Sequence, residues 1–263
     1  MDKSFIVNAL RKNGVEEGMC LEVHSSLSSF GHVEGGAETV ISAIKECIGS
    51  EGTIFMPALR LSPALPLTDE DKKLGITCKI KILPNERKKS AMGIIADTFR
   101  LQNGTLTGSG IMQISGWGKH AQEAINGGLN FAIHNGGKAL LLGVDIYKLT
   151  AMHYVEEITP KEISDMFAPS AEINKIYPPE EWFIEAGNPP VKAWCKIQKI
   201  ADEMGFIKHF DIGSCKAMLF DVGKVVSLYE HELKTDPFGF WEIRKKILEL
   251  TPFFFHRTGP VFL

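Results

Sequence analysis

The sequence has no CxxC pair, no long apolar run, no surplus of charge of one sign and no internal repeat. Each absence removes a class of explanation. Five cysteines, Cys20, Cys47, Cys78, Cys195 and Cys215, are odd in number and widely spaced, which argues against a disulfide framework or a zinc knuckle and predicts buried thiols in a reducing compartment. No stretch approaches the roughly 20 apolar residues of a membrane span, and the opening MDKSFIVNALRKNG has no apolar signal core. The expected location is therefore the cytoplasm, with no membrane partner. A net charge of −3 gives no long-range pull toward nucleic acid, so any anionic ligand must be held by locally placed donors. Walker and GxGxxG spacings are missing, and no GxSxG elbow surrounds Ser25 or Ser26, which leaves a serine-hydrolase reading without its turn.

What is present is concentrated in Lys138–Glu157, KALLLGVDIYKLTAMHYVEE. Ala139–Val144 reads as a strand buried on both faces, and Thr150 as the N-cap of a helix carrying Met152, His153, Tyr154, Val155 and Glu156. Positions i and i+3 share a helix face, so His153 and Glu156 can stand side by side at the carboxyl end of a strand, where open α/β sheets place their sites. Imidazole titrates near neutrality and a carboxylate orients it, so His153 is the candidate general base and Glu156 its partner. A cation shared with His24 or His134 would need a third ligand that no spacing specifies, and no metal is expected.

The remainder reads as an α/β chain. A helix over Ser4–Lys12 leads to a buried strand in GMCLEVHSS, a helix over Ala37–Ile48 and a second strand over Gly52–Pro57, an order that predicts parallel pairing. Between strand and helix lies HSSLSSFGHVEGG, thirteen residues with four serines and three glycines. It is either a tight connection or an anion cradle at a helix N-terminus. Ala58–Lys89 is a long excursion whose basic cluster (Lys79, Lys81, Arg87, Lys88, Lys89) reads chiefly as a solvated face. Ser90 is the expected N-cap of a helix over Met92–Leu101. Thr159–Pro190, with six prolines, reads as a surface arm or pocket rim; Val191–Met204 and Gly223–Leu233 read as helices, Ile212–Phe220 as one strand, and Thr251–Leu263 as a packed aromatic tail. With no clean linker, residues 1–263 are expected to form one domain, with a larger part over 1–160 and a smaller C-terminal part over 161–263.

The blocks LEVHSSLSSFGHVEGGAETVISAI, GTIFMPAL, SAMGIIADTFR and KALLLGV…TAMHYVE, in that order, resemble the aminoglycoside 3-N-acetyltransferase family over roughly residues 15–160. The resemblance implies a mixed, largely parallel sheet with helices on both faces, and acetyl transfer from acetyl-CoA to an amine without a covalent enzyme intermediate. It implies that Ser25, Ser26, Leu27, Ser28, Phe30, Val33, Gly35 and Gly36 line the pantetheine and phosphate arm. Ser90, Met92 and Gly93 match a second block bordering the cofactor, and Thr150, His153 and Glu156 match a T-x-x-H-x-x-E motif.

The segment before Lys138 departs from the family pattern: it has no HPxxS motif and a shorter connection. The acyl donor therefore carries over more safely than the acceptor. The aromatics Phe167, Tyr177, Trp182 and Phe183 and the scattered acids Glu162, Asp165, Glu172, Glu180, Glu181 and Glu185 favour a small acceptor with one amine, such as a nucleotide-linked deoxyamino sugar for surface polysaccharide. An aminoglycoside is the alternative acceptor, and a non-catalytic coenzyme A or sugar binder the alternative of another class. A homodimer is left open.

Overall fold

The structure, a computed structural model, describes residues 1–127, 129–187 and 192–243. The strands are β1 (Cys20–Ser25), β2 (Thr53–Pro57), β3 (Ile76–Lys81), β4 (Leu106–Thr107), β5 (Ile114–Gly118), β6 (Lys138–Leu142), β7 (Trp182–Ala186), β8 (Ile207–Ile212) and β9 (Cys215–Asp221). Among the described residues, seven of them form a sheet in the order β4-β5-β2-β1-β6-β9-β8. β2, β1 and β6 are parallel at its centre, and the flanking pairings are antiparallel.

The central strands carry side chains into two cores, as the two-residue period of a strand requires. In β6, Leu140 and Leu142 enter the first core while Ala139 and Leu141 enter the second. The first core is covered by α1 (Lys3–Lys12) and α2 (Gly36–Ile48), joined by the buried Ile95, Ala96 and Phe99. Ile6, Val7 and Leu10 of α1 and Val40, Ile41 and Ile44 of α2 face the sheet at helical spacing. The second core receives Ala193, Ile197 and Ala201 from one helix and Val222, Val225, Val226 and Tyr229 from another. Residues 193–235 thus complete the sheet that residues 20–142 begin.

Several expectations are corrected here. Ile212–Phe220 is not one strand: Ile212 pairs with Cys215, so β8 and β9 form a hairpin closed by Gly213–Ser214. The basic cluster is not wholly solvated. Lys79 is buried in an ion pair with Asp71, whose carboxyl also accepts from Tyr177 Oη at 2.6 Å; the two partners hold it far below the usual carboxylate range. Arg87 is buried too, donating to Ala58 O and Gln113 Oε1. Both cations tolerate burial because acceptors replace their water. β3 and β7 join the Ala58–Lys89 excursion to the Thr159–Pro190 arm as a separate antiparallel ribbon. Cys47 and Cys215 are buried, but Cys195 is exposed. The Thr251–Leu263 tail lies outside the described residues. Among those described, no helix is long and apolar enough to cross a membrane.

β6 ends at Gly143, whose φ is +72° and whose hypothetical Cβ would overlap Ser29 Oγ. Gly143→Ala combines left-handed strain with a steric clash, so we expect a loss of about 2 kcal/mol in urea denaturation. Unchanged stability would contradict the close approach of these two loops.

Candidate active site

β1 and β6 run side by side with Ser25 opposite Leu142, so the two segments that follow them leave the sheet together at the carboxyl edge. Ser26 N–H donates to Leu142 O at 2.9 Å and fastens the first segment to the second strand. α2 then packs on one face of the sheet and the helices preceding β6 on the other. The carboxyl edge between β1 and β6 is therefore a topological switch point, the place where open α/β sheets form their crevice.

The serine-rich loop has internal order. Leu27–Phe30 is a 3₁₀ turn in which Ser29 Oγ donates to Ser26 O at 2.7 Å, and the hydroxyls of Ser26 and Ser28 meet at 3.0 Å. Ser25, Ser26 and Leu27 are half-buried and Ser28 is exposed. Phe30 and Val33 lie in the first core, so their side chains anchor the loop and do not face the crevice. Gly35, at φ +73°, turns the chain into α2 without a side-chain cap; Gly36 N–H donates back to Val33 O at 3.0 Å, and the amides after it have no side-chain cap. Beside Gly36 there is open space where a side chain would stand.

Ser90 differs from its expected role. The helix begins later, at Ile94, and Gly93 is its N-cap. The Ser90 backbone N–H and Oγ donate to the two oxygens of buried Asp97 at 2.7 and 2.8 Å, and Met92 N–H donates to Ser90 Oγ at 3.2 Å. Asp97 thus folds the SAMG turn back on the helix. A Cβ at Gly93 would lie 3.8 Å from Ser25 O, which places this block against the serine loop.

The T-x-x-H-x-x-E segment is 3₁₀ over Thr150–Ile158, not α, and Thr150 makes no side-chain cap. With three residues per turn, side chains at i and i+3 eclipse. His153 Nδ1 lies 2.5 Å from Glu156 Oε2, both side chains being nearly half exposed. In the neutral imidazole this assigns Nδ1–H as donor to the carboxylate and leaves the Nε2 lone pair for proton transfer. The His153 ring stands edge-on to Trp194 at 4.8 Å, and Trp194 packs against Tyr147 at 6.2 Å. The two histidines considered as fellow cation ligands are engaged elsewhere: His24 meets Glu22 at 2.7 Å, and His134 Nδ1 donates to Asn130 O. Among the described residues no group of three His, Cys, Asp or Glu side chains is arranged around a cation.

Three more side chains lie near the pair; of these the sequence singled out only Glu185, as one of six scattered acids. Glu185, opposite Cys78 in the β3–β7 ribbon, has its carboxyl pushed up by burial and by the charge of Glu156, with His153 opposing the shift. Tyr147 has its phenol pushed up by burial and by Glu185. Trp194 stands on the helix Ala193–Glu203, which residue spacing located but could not aim. Of the four rim aromatics, Tyr177 packs on Trp182 and Phe167 on Trp241, while Phe183 is exposed.

Comparisons with known proteins point one way. The chain is 28% identical over 187 residues to aminoglycoside N(3)-acetyltransferase III of Salmonella sp, covering 58% of this chain and 59% of that protein. It thus spans about three fifths of the length of the curated relatives it matches first. The crystal structure of YokD from Bacillus subtilis superposes with a TM-score of 0.64 at 23% identity, covering 88% of this chain and 98% of that one. The AAC-IIIb binary complex with CoASH gives 0.64 at 18% identity, over 89% and 96%. At these identities the structural likeness carries the fold. The family model described as aminoglycoside 3-N-acetyltransferase matches residues 23–234, and the chain belongs to that family.

Proposed function

We propose that this chain transfers an acetyl group from acetyl-CoA to an amine of an aminoglycoside. The observation that carries the proposal is the His153–Glu156 pair, in the segment that follows β6, the strand paired in parallel with the one that leads into the serine loop. Acetyl-CoA is the acyl donor that the family relation implies, and the loop suits it. Ser25, Ser26, Ser28 and the uncapped start of α2 supply hydroxyl and N–H donors for an anionic, amide-rich arm, with room beside Gly36. His153 Nε2 takes the proton that the amine sheds as its nitrogen bonds to the acetyl carbon, and returns it to the departing thiolate sulfur. Glu156 holds the imidazole in the required tautomer and stabilises its charged form.

The acceptor preferred from sequence, a nucleotide-linked deoxyamino sugar, has no support among the relatives, whose names favour the aminoglycoside alternative. Charge agrees with the relatives. Glu156 and Glu185 bring two carboxyl groups into electrostatic range of one another beside His153, which suits a cationic acceptor.

Three outcomes are expected. Thermal denaturation shifts upward with acetyl-CoA, and release of free thiol follows addition of kanamycin or gentamicin but not of nucleotide-linked amino sugars; turnover of the nucleotide sugars alone would reject the acceptor, and no turnover of either would favour a binding protein. His153→Ala keeps the acetyl-CoA thermal shift but loses about a hundredfold to ten-thousandfold in kcat; near-normal turnover would reject His153 as base. Glu185→Gln raises KM for the cationic acceptor about fivefold, the size of a partly exposed ion pair, and leaves KM for acetyl-CoA alone. Equal effects on both substrates would place Glu185 outside the acceptor side.

A further inference from the structure

Glu22 is a carboxylate in the middle of a central strand, fully buried in a position where the strand pattern calls for an apolar side chain. Its neighbours Leu21 and Val23 enter the first core. Glu22 and His24 therefore project from the opposite face, where Phe55, Ala139 and Leu141 are buried. A carboxylate there is costly unless its oxygens are satisfied.

Its partners lie in the segment that carries the base. Glu22 Oε1 accepts from Ala151 N–H at 3.1 Å and meets His24 Nε2 at 2.7 Å; Oε2 has no hydrogen-bond partner. Thr150 N–H lies 3.3 Å from the same His24 Nε2, a contact that only an unprotonated nitrogen accepts. The two ring contacts are thus alternatives, whereas the Ala151 bond holds with either. The 3₁₀ segment Thr150–Ile158 has no side-chain cap of its own; Met152 N–H donates to Leu149 O at 3.2 Å, and the amide of buried Ala151 cannot turn to water. The cap is supplied from 129 residues away in sequence.

We infer that Glu22 and His24 form a positioning pair that sets where His153 stands relative to the acyl donor, an inference that rests on His153 being the base. β1 carries both functions. Ser25 and Ser26, at the mouth of the donor site, follow His24 directly, and Glu22 on the same strand grips the backbone two residues before His153. One strand therefore fixes the separation between the two halves of the reaction. The His153–Glu156 contact is internal to the 3₁₀ segment and survives a shift of the segment as a whole.

This predicts a selective defect. Glu22→Leu fills the site with an apolar side chain but leaves the Ala151 N–H without an acceptor. We expect kcat to fall ten- to a hundredfold, as misplacement by about 1 Å does, measured with whichever acceptor of the panel above turns over fastest. KM for acetyl-CoA should stay within about twofold and the pH–rate profile should keep its midpoint, because the His153–Glu156 pair is intact. Glu22→Gln, which retains an oxygen for Ala151, should recover most of the rate. A wild-type kcat for Glu22→Leu would overturn the inference. So would a displaced pH midpoint in both variants, which would make Glu22 a titrating group of the reaction. If Glu22→Leu does not fold, His24→Asn is measured instead: lowered kcat with unchanged KM for acetyl-CoA supports the pair, and unchanged kcat overturns it. His153→Ala separates the two readings. If it is inactive while Glu22→Leu is fully active, only the positioning role fails; if it is active, the base assignment fails first.

Discussion

The parallel pairing of β1 with β6, with Ser25 opposite Leu142, is the constraint on which the remaining arrangement depends. Parallel strands end on the same edge, so the serine loop and the His153 segment leave the sheet as neighbours although they are more than a hundred residues apart. The Ser26 N–H bond to Leu142 O and the close approach of Gly143 to Ser29 extend that pairing beyond the sheet. A slip of one residue would turn Leu21 and Val23 out of the first core and carry Glu22 and His24 into it, so burial itself fixes the register.

Polar groups are buried in this protein where they hold a loop in place. Asp97 accepts both donors of Ser90 and shapes the turn beside the serine loop. Asp71 gathers Lys79 and Tyr177 and ties the two long excursions into the β3–β7 ribbon. Glu22 does the same for the segment that carries His153. Each replaces water with directed partners, and such a contact fixes geometry more sharply than an apolar one of equal burial. Arg87 and Arg100 follow the same logic with backbone carbonyls, Ala58 O and Arg87 O, as their acceptors.

The crevice is asymmetric in charge. On the side of the serine loop it offers hydroxyl and N–H groups, which suit phosphates and amides. Toward the ribbon it offers Glu156 and Glu185, with Trp194 and Tyr147 as aromatic surfaces around the imidazole. Under the proposed function an anionic acyl donor would meet the first of these surfaces and a cationic acceptor the second.

Sequence by itself determined a good deal. Helical and strand periodicities located α1, α2, β1, β2 and β6 to within a residue or two, because burial on fixed faces imprints a period on the chain. The i, i+3 spacing placed His153 beside Glu156. Block order identified the family, and the family model matches residues 23–234. What periodicity could not reveal was pairing across the chain. That Glu22 caps the segment at Ala151, that Lys79 is neutralised by Asp71, and that Glu185 feels the charges of Glu156 and His153 all depend on which surfaces meet. The same limit explains the β8–β9 hairpin read as one strand and the 3₁₀ segment read as an α-helix: a two-residue turn and a one-residue change in hydrogen-bond span leave little mark on local composition. Tertiary contact decided them, because an isolated segment gains too little from its own hydrogen bonds to choose between such alternatives.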